Sequence, residues 1–155
     1  MTKTITLIAA ILVLGCSTKK SATSSNSAQG DTRTKKVVLL DDYTYRLTEK
    51  STDSTYAYTQ LNAVKVGGSK ESSGPKNEQR FLNGLAGPNG EQIKYFRAGS
   101  CCAFETPNGM MGGGLLDKYR VYWKGCKDTL NIYINMYDKG DLLIPVGLTG
   151  KTAAR

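Results

Sequence analysis

Leu130-Asn131-Ile132-Tyr133-Ile134-Asn135-Met136-Tyr137 alternates without a break. Leu130, Ile132, Ile134 and Met136 fall on one face, and Asn131, Tyr133, Asn135 and Tyr137 on the other. That period of two marks a strand with one buried side. Leu115 to Trp123 reads the same way, and the polar turn Lys124 to Thr129 joins the two as a hairpin. Working outward, Gln92 to Ala98 alternates Ile93 and Tyr95 against Lys94 and Phe96. Val37 to Leu40, the Tyr43/Tyr45 and Tyr56/Tyr58 pairs, and Val64-Lys65-Val66 before Gly67-Gly68 are short strand signals. Pro145 makes Leu142 to Leu148 an edge strand, because proline cannot donate to a ladder. One helix is predicted, from Lys76 to Leu85. Pro75 suits its first turn, Phe81, Leu82 and Leu85 share one side, and Gly84 and Gly87 stop it. The expected architecture is α+β: a single, mainly antiparallel sheet of about six to seven strands with one short helix packed on one face.

The ends read differently. Lys3 precedes an apolar run from Ile5 to Leu14, about ten residues against the roughly 20 that a membrane span needs. A positive start, a short apolar stretch and a small residue before a break make a secretory signal. The break is Val13-Leu14-Gly15-Cys16, which resembles the bacterial lipobox. The resemblance implies cleavage after Gly15 and acylation of Cys16, with the membrane reached through that lipid. It departs from the pattern at Val13, where leucine is commoner. Ser17 in place of an aspartate directs the expectation to the outer membrane. The absence of an acidic cluster in Ser17-Thr18-Lys19-Lys20 favours its periplasmic face.

Residues 17–36 hold nothing aliphatic larger than alanine and no aromatic, so they read as a flexible tether. The organisation expected is therefore a signal at 1–15, the lipidated Cys16 and tether to 36, a domain at 37–150, and a tail at 151–155. The chain carries a net +8, but the charge sits at the ends. The tether sets Lys19, Lys20, Arg33, Lys35 and Lys36 against Asp31, Lys151 and Arg155 lie in the tail, and 37–150 retains 13 basic and 12 acidic residues. A nucleic-acid protein would concentrate basic charge on its folded part, so nucleic acid is not an expected partner.

The chain has no histidine, which excludes His-based acid/base catalysis, Ser-His and Cys-His nucleophiles and His metal sites. Gly150-Lys151-Thr152 mimics the end of a P-loop, yet Pro145 stands where the leading glycine belongs, and nucleotide binding is excluded. No cofactor is expected. Among the acids, Glu105 stands near the thiols, while Asp117, Asp138 and Asp141 read as solvated. Cys101, Cys102 and Cys126 are disulfide candidates in an oxidising compartment. Neighbours in an extended strand point to opposite faces, so either one of the adjacent pair bridges to Cys126 or the two close a ring on each other. Residues 108–114, Asn-Gly-Met-Met-Gly-Gly-Gly, read as a mobile loop. Tyr119, Asn131, Tyr133, Asn135 and Tyr137 are the partner-binding candidates, aromatic and amide groups suited to a sugar or a protein.

Several blocks together resemble a family of small exported lipoproteins of Bacteroidota-type bacteria. They include Tyr56-Ala-Tyr-Thr, Val64-Lys-Val-Gly-Gly, Gly74-Pro-Lys-Asn-Glu, Arg80-Phe-Leu-Asn, Gly87-Pro-Asn-Gly, Gly99-Ser-Cys-Cys, Tyr133-Ile-Asn-Met-Tyr-Asp and Pro145-Val-Gly. The similarity spans roughly 55–148, and no biochemical role is established for that family. Some members bear the name of a 2-dehydro-3-deoxyphosphooctonate aldolase. An aldolase of that kind resembles a cytoplasmic TIM barrel of about 250 residues, and a 155-residue exported chain does not match it. On the resemblance, the adjacent thiols belong to the family pattern and Cys126 stands outside it, which favours a Cys101–Cys102 ring or an intermolecular role. The functional expectation is a non-enzymatic binding or accessory module of an outer-membrane assembly or of the cell wall. The alternatives are a thiol-dependent redox protein or enzyme centred on Cys101 and Cys102, and an inhibitor using 104–114 as a wedge.

Overall fold

The computed structural model describes residues 30–152. The signal, Cys16 and most of the tether lie outside the described residues. Eight strands and one α-helix follow in chain order: β1 (Leu39–Asp41), β2 (Thr44–Tyr45), β3 (Val64–Lys65), α1 (Gly74–Asn83), β4 (Leu85–Ala86), β5 (Ile93–Met110), β6 (Gly113–Trp123), β7 (Leu130–Asn135) and β8 (Thr149–Gly150), with a single 3-10 turn at Gln60–Asn62 before β3.

The single sheet of six to seven strands expected from the sequence does not form. The strands divide into a four-stranded sheet, β3-β7-β6-β5, and two two-stranded ones, β1-β2 and β4-β8. Only β5, β6 and β7 are long enough to build an extended ladder. The short apolar runs pair locally or with distant pieces instead, because alternation states which face is buried and not which neighbour is hydrogen-bonded. Tyr56 and Tyr58 lie in turns, and Leu142 to Leu148 contributes an isolated bridge, Ile144 to Lys50, rather than an edge strand. β3 pairs with β7 in parallel, Val64 opposite Ile134, a contact that no local signal predicts.

The central hairpin is as expected, with Val121 opposite Leu130 and Asp117 opposite Ile134. Its buried face carries Tyr119, Val121, Ile132 and Ile134 into one core with Phe81 and Leu82 of α1. Helix α1 forms where Pro75 presets the first turn, and it buries Gly74, Glu78, Phe81 and Leu82, a stripe at spacings of three and four. Gly84 ends it because nothing larger fits: a Cβ there would stand 2.5 Å from the Tyr45 carbonyl oxygen.

Strand β5 runs much further than the predicted 92–98. The supposed loop at 104–114 is the far end of the β5–β6 hairpin, with Phe104 opposite Gly114 and Met110 opposite Gly113. β5 is the outer strand of its sheet, blunted by bulges and by Lys94, Arg97, Glu105 and Pro107.

The tether also ends earlier than composition suggests. Thr32 and Arg33 donate backbone N–H groups to the Lys139 carbonyl at 2.7 and 3.0 Å. The Arg33 guanidinium donates to the carbonyls of Gly140 (2.8 Å), Val66 (3.1 Å) and Lys65 (3.2 Å). Asp141 accepts from the backbone of Thr34 and Lys35, both at 2.9 Å. A polar segment can fold without apolar content when its hydrogen bonds reach buried carbonyls. At the other end Lys151 donates its N–H to Gly84 at 2.8 Å, one residue beyond the expected domain limit. Arg33→Ala should lower the unfolding free energy by about 2 kcal/mol, the scale of hydrogen bonds from a charged donor. A shift of the urea midpoint at constant slope measures it.

Candidate functional site

Two bulges in β5 shape the region that the sequence singled out. Between Arg97 and Gly99 the register slips, so that Arg97 stands opposite Tyr119 and Ser100 opposite Asp117. Residues three apart on a regular strand face opposite sides; the extra residue turns both Arg97 and Ser100 toward Asp117. Arg97 then grips Asp117 with two N–H···O bonds of 2.7 Å, and the Ser100 hydroxyl donates to the same carboxylate at 2.9 Å. Asp117 is 5% exposed. The reading of Asp117 as a solvated acid is thereby corrected: it lies on the core face of β6.

Behind it lies a residue that the sequence reading passed over. Glu78 of α1 has no exposed surface, and it accepts the Tyr119 hydroxyl at 2.8 Å. Its other oxygen, Oε1, is sealed from solvent with no partner to donate to it. The Glu78 and Asp117 carboxyls are also hydrogen-bonded to one another, an arrangement that requires a proton on one of them. Burial, and then the negative Asp117, push the Glu78 carboxyl up to about 8. Burial alone would raise Asp117, but the Arg97 and Ser100 hydrogen bonds and the Arg97 charge outweigh it and hold Asp117 below the usual carboxylate range. Burial and the Glu78 charge push the Tyr119 hydroxyl upward. The signal for Glu78 was present: it sits three and four residues before Phe81 and Leu82, in phase with the apolar stripe.

A cleft of about 530 Å³ opens beside this cluster, walled by Pro75, Gln79, Tyr95 and Phe96. Glu78, Asp117 and Tyr119 lie at its floor, and Arg97, whose side chain is 47% exposed, is the charge a molecule in it would meet most openly. The chemistry available is storage of one shared proton between two carboxyls, with Arg97 as the accessible charge.

The second bulge holds the thiols. Cys101 stands opposite Leu116 and Ala103 opposite Leu115, leaving Cys102 as the extra residue with φ of 59°. This left-handed conformation breaks the strand's alternation, so adjacent side chains can meet, and Cys101 and Cys102 form a disulfide. Cys126 is free. A bridge from it to either neighbour is ruled out by geometry. It follows Trp123, which lies seven residues along β6 from Leu116, or about 23 Å of strand. A disulfide needs Cα atoms within roughly 7 Å.

The five partner-binding candidates are not brought together. Tyr119 points into the core, 5% exposed, edge-on to Tyr95 at 6.0 Å. Asn135 is buried: its Oδ1 accepts the N–H groups of Tyr137 (2.8 Å) and Asp138 (3.0 Å), and its amide donates to Asp138 at 2.9 Å. Asp138 is likewise buried, not solvated, and also receives Thr106 and Asn108. Tyr137 packs edge-on to Phe104 at 5.9 Å. Asn131 and Tyr133 do share the outer face of the four-stranded sheet. Arg120 and Lys118 are their partners across the ladder, and the Lys118 ammonium lies 5.8 Å from the Tyr133 ring centre. Phe96, 53% exposed, stands opposite Arg120 on the same face. Glu105 is exposed on β5 and belongs to neither cluster. Among the described residues, no group of three or more His, Cys, Asp or Glu side chains is placed to hold a metal ion, and no helix is long and apolar enough to cross a membrane.

Comparison with protein-family models, curated proteins and solved structures finds no match to this chain.

Two outcomes are expected. The folded Glu78 carboxyl titrates far above its unfolded value, near 4.3, so folded protein holds more protons between those limits and stability falls as pH rises from about 4.5 to about 8. Glu78→Gln keeps the donor and the acceptor without the proton. Its melting temperature should stay level over that window and exceed the wild type's at pH 9, read by calorimetry. Alkylation of denatured, unreduced protein should modify Cys126 and leave Cys101 and Cys102 unmodified until a reductant is added.

Proposed function

We propose that the chain is a lipid-anchored protein of the bacterial cell envelope, of the Gly-Ser-Cys-Cys lipoprotein kind. Its folded part acts as a non-enzymatic binding module. The reading rests on Val13-Leu14-Gly15-Cys16 at the end of a ten-residue apolar run. Several acyl chains on one cysteine hold far more firmly than one, because each buried CH₂ contributes about 0.8 kcal/mol. Ser17 directs the protein to the outer membrane, with the domain on the periplasmic side.

The recognition surface is the outer face of the four-stranded sheet. There Phe96, Tyr122 and Tyr133 alternate across strands with Lys118, Arg120 and Asn131. Flat rings beside cations and an amide suit cell-wall glycan or a protein of an outer-membrane assembly.

Intact-mass analysis should find a diacylglyceryl-modified, acylated N-terminus at Cys16. Triton X-114 partitioning should move the protein from the detergent to the aqueous phase on Cys16→Ala. An unmodified wild-type N-terminus would refute the reading. Phe96→Ala with Tyr133→Ala should weaken retention on isolated cell wall or on solubilised envelope proteins by roughly tenfold, as loss of aromatic anchors does, while leaving the melting temperature nearly unchanged.

A further inference from the structure

The β5–β6 hairpin ends in the most exposed apolar groups among the described residues. Met110 is 86% exposed and Met111 100%. Glu105 and Met110 both stand opposite Gly113, so residues 106–109 bulge out of the ladder, and Met111 and Gly112 make the turn beyond them with φ of 53° and 78°. Positive φ at both central positions is the geometry of a tight two-residue hairpin turn, favoured by Asn and Gly. Glycine serves at 112, whereas methionine at 111 carries a conformational cost. Two flexible apolar side chains stand at a tip where an asparagine would fold more easily.

The chain enters the fold at this same end. Gly30 lies against Pro107, where an added Cβ would stand 3.1 Å from the proline ring. Asp31 accepts from the Asn108 amide at 2.8 Å. Pro107 and Asn108 precede Met110 by three and two residues. Thirteen residues separate Cys16 from Gly30, and a Ser-rich chain of that length has an r.m.s. span of about 20 Å. An acylated Cys16 therefore holds the hairpin tip, and not the opposite end of the sheet, next to the bilayer. Charge agrees in part. Lys70 reaches the same place, donating to Asn108 at 2.7 Å, and the tether brings Lys19 and Lys20 toward anionic headgroups. Asp31, Asp138 and Glu105 are the opposing acids at this end.

We infer that Met110 and Met111 form a membrane pin that dips into the headgroup boundary of the bilayer holding Cys16 and so fixes the orientation of the domain. The inference rests on the lipoprotein reading above. An orienting pin keeps β5 and the outer sheet face upright instead of leaving the domain to tumble on its tether.

The test uses the full-length, lipidated protein in vesicles of phosphatidylethanolamine and phosphatidylglycerol containing a lipid with brominated acyl chains. Trp123 is the sole native indole and a constant background. Met110→Trp and, from an independent position, Met111→Trp are compared with Lys124→Trp in the exposed turn at the other end of β6. The tip variants should lose roughly twofold or more of their added fluorescence to the bromines, the control little, as expected for side chains seated at the acyl boundary. Equal quenching at both ends in protein that floats with the vesicles would overturn the pin and leave the anchor standing. A blue-shifted tip indole without quenching would mean cover by protein, such as a second copy, and would also overturn it. Protein that neither floats nor carries acyl mass would overturn both readings.

Discussion

Glu78 brings its carboxyl into the interior between α1 and the long strands, and the surrounding structure answers that burial. One oxygen takes the Tyr119 hydroxyl at 2.8 Å, and the carboxyl shares a hydrogen bond with Asp117, which Arg97 and Ser100 hold in turn. A buried carboxyl without partners would cost several kcal/mol, so each neighbour is constrained in turn. Tyr119 must face the helix, β6 must present Asp117 on its core side, and β5 must bulge near residue 98 to aim both Arg97 and Ser100 inward. The helix is thus registered on the sheet by polar groups as well as by Phe81 and Leu82. Apolar replacements of buried ion pairs are often as stable, which points to position rather than strength as what this cluster supplies.

The first two of the three register shifts in β5 divide its work. The first completes the proton-sharing cluster on the core side. The second places Cys102 in a left-handed conformation and lets adjacent cysteines join, where a regular strand would hold them on opposite faces. Beyond them the strand continues with β6 to the methionine tip. The same edge strand therefore carries an internal lock, a covalent ring and an exposed apolar end. With the entering segment clamped by Arg33 and Asp141 near that end, the four-stranded sheet has an entry end and a far end at the Lys124 turn. The aromatic and cationic outer face lies along the flank between them.

Residue periodicity made the β6–β7 hairpin and the helix readable, whereas composition alone assigned Thr32, Arg33 and Thr34 to a tether although they are hydrogen-bonded into the fold. What alternation lacked was partners. Leu39 to Tyr45 looked like members of a large sheet and instead pair with each other, while Val64 joins Ile134 in parallel across 70 residues of chain. Asn135 and Tyr119 matched the pattern of a binding face. Asn135 closes a buried turn with Asp138, and Tyr119 falls on the side opposite Tyr133, since neighbouring strands set Tyr119 beside Ile132. Glu78 was hidden by its charge: a carboxylate is expected in water, and only its phase with Phe81 and Leu82 hinted otherwise.

The sequence alone carries which segments alternate, where the α-helix lies, that histidine chemistry is absent, and that Cys16 follows a short apolar run. Those properties are local, set by side-chain period and residue type. Tertiary structure alone decided the division into three sheets, the meeting of Glu78 with Asp117, the pairing of Cys101 with Cys102, and the arrival of Gly30 beside the Met110 tip. Each of these depends on register and on bulges between distant strands, where a shift of one residue turns a side chain from core to solvent.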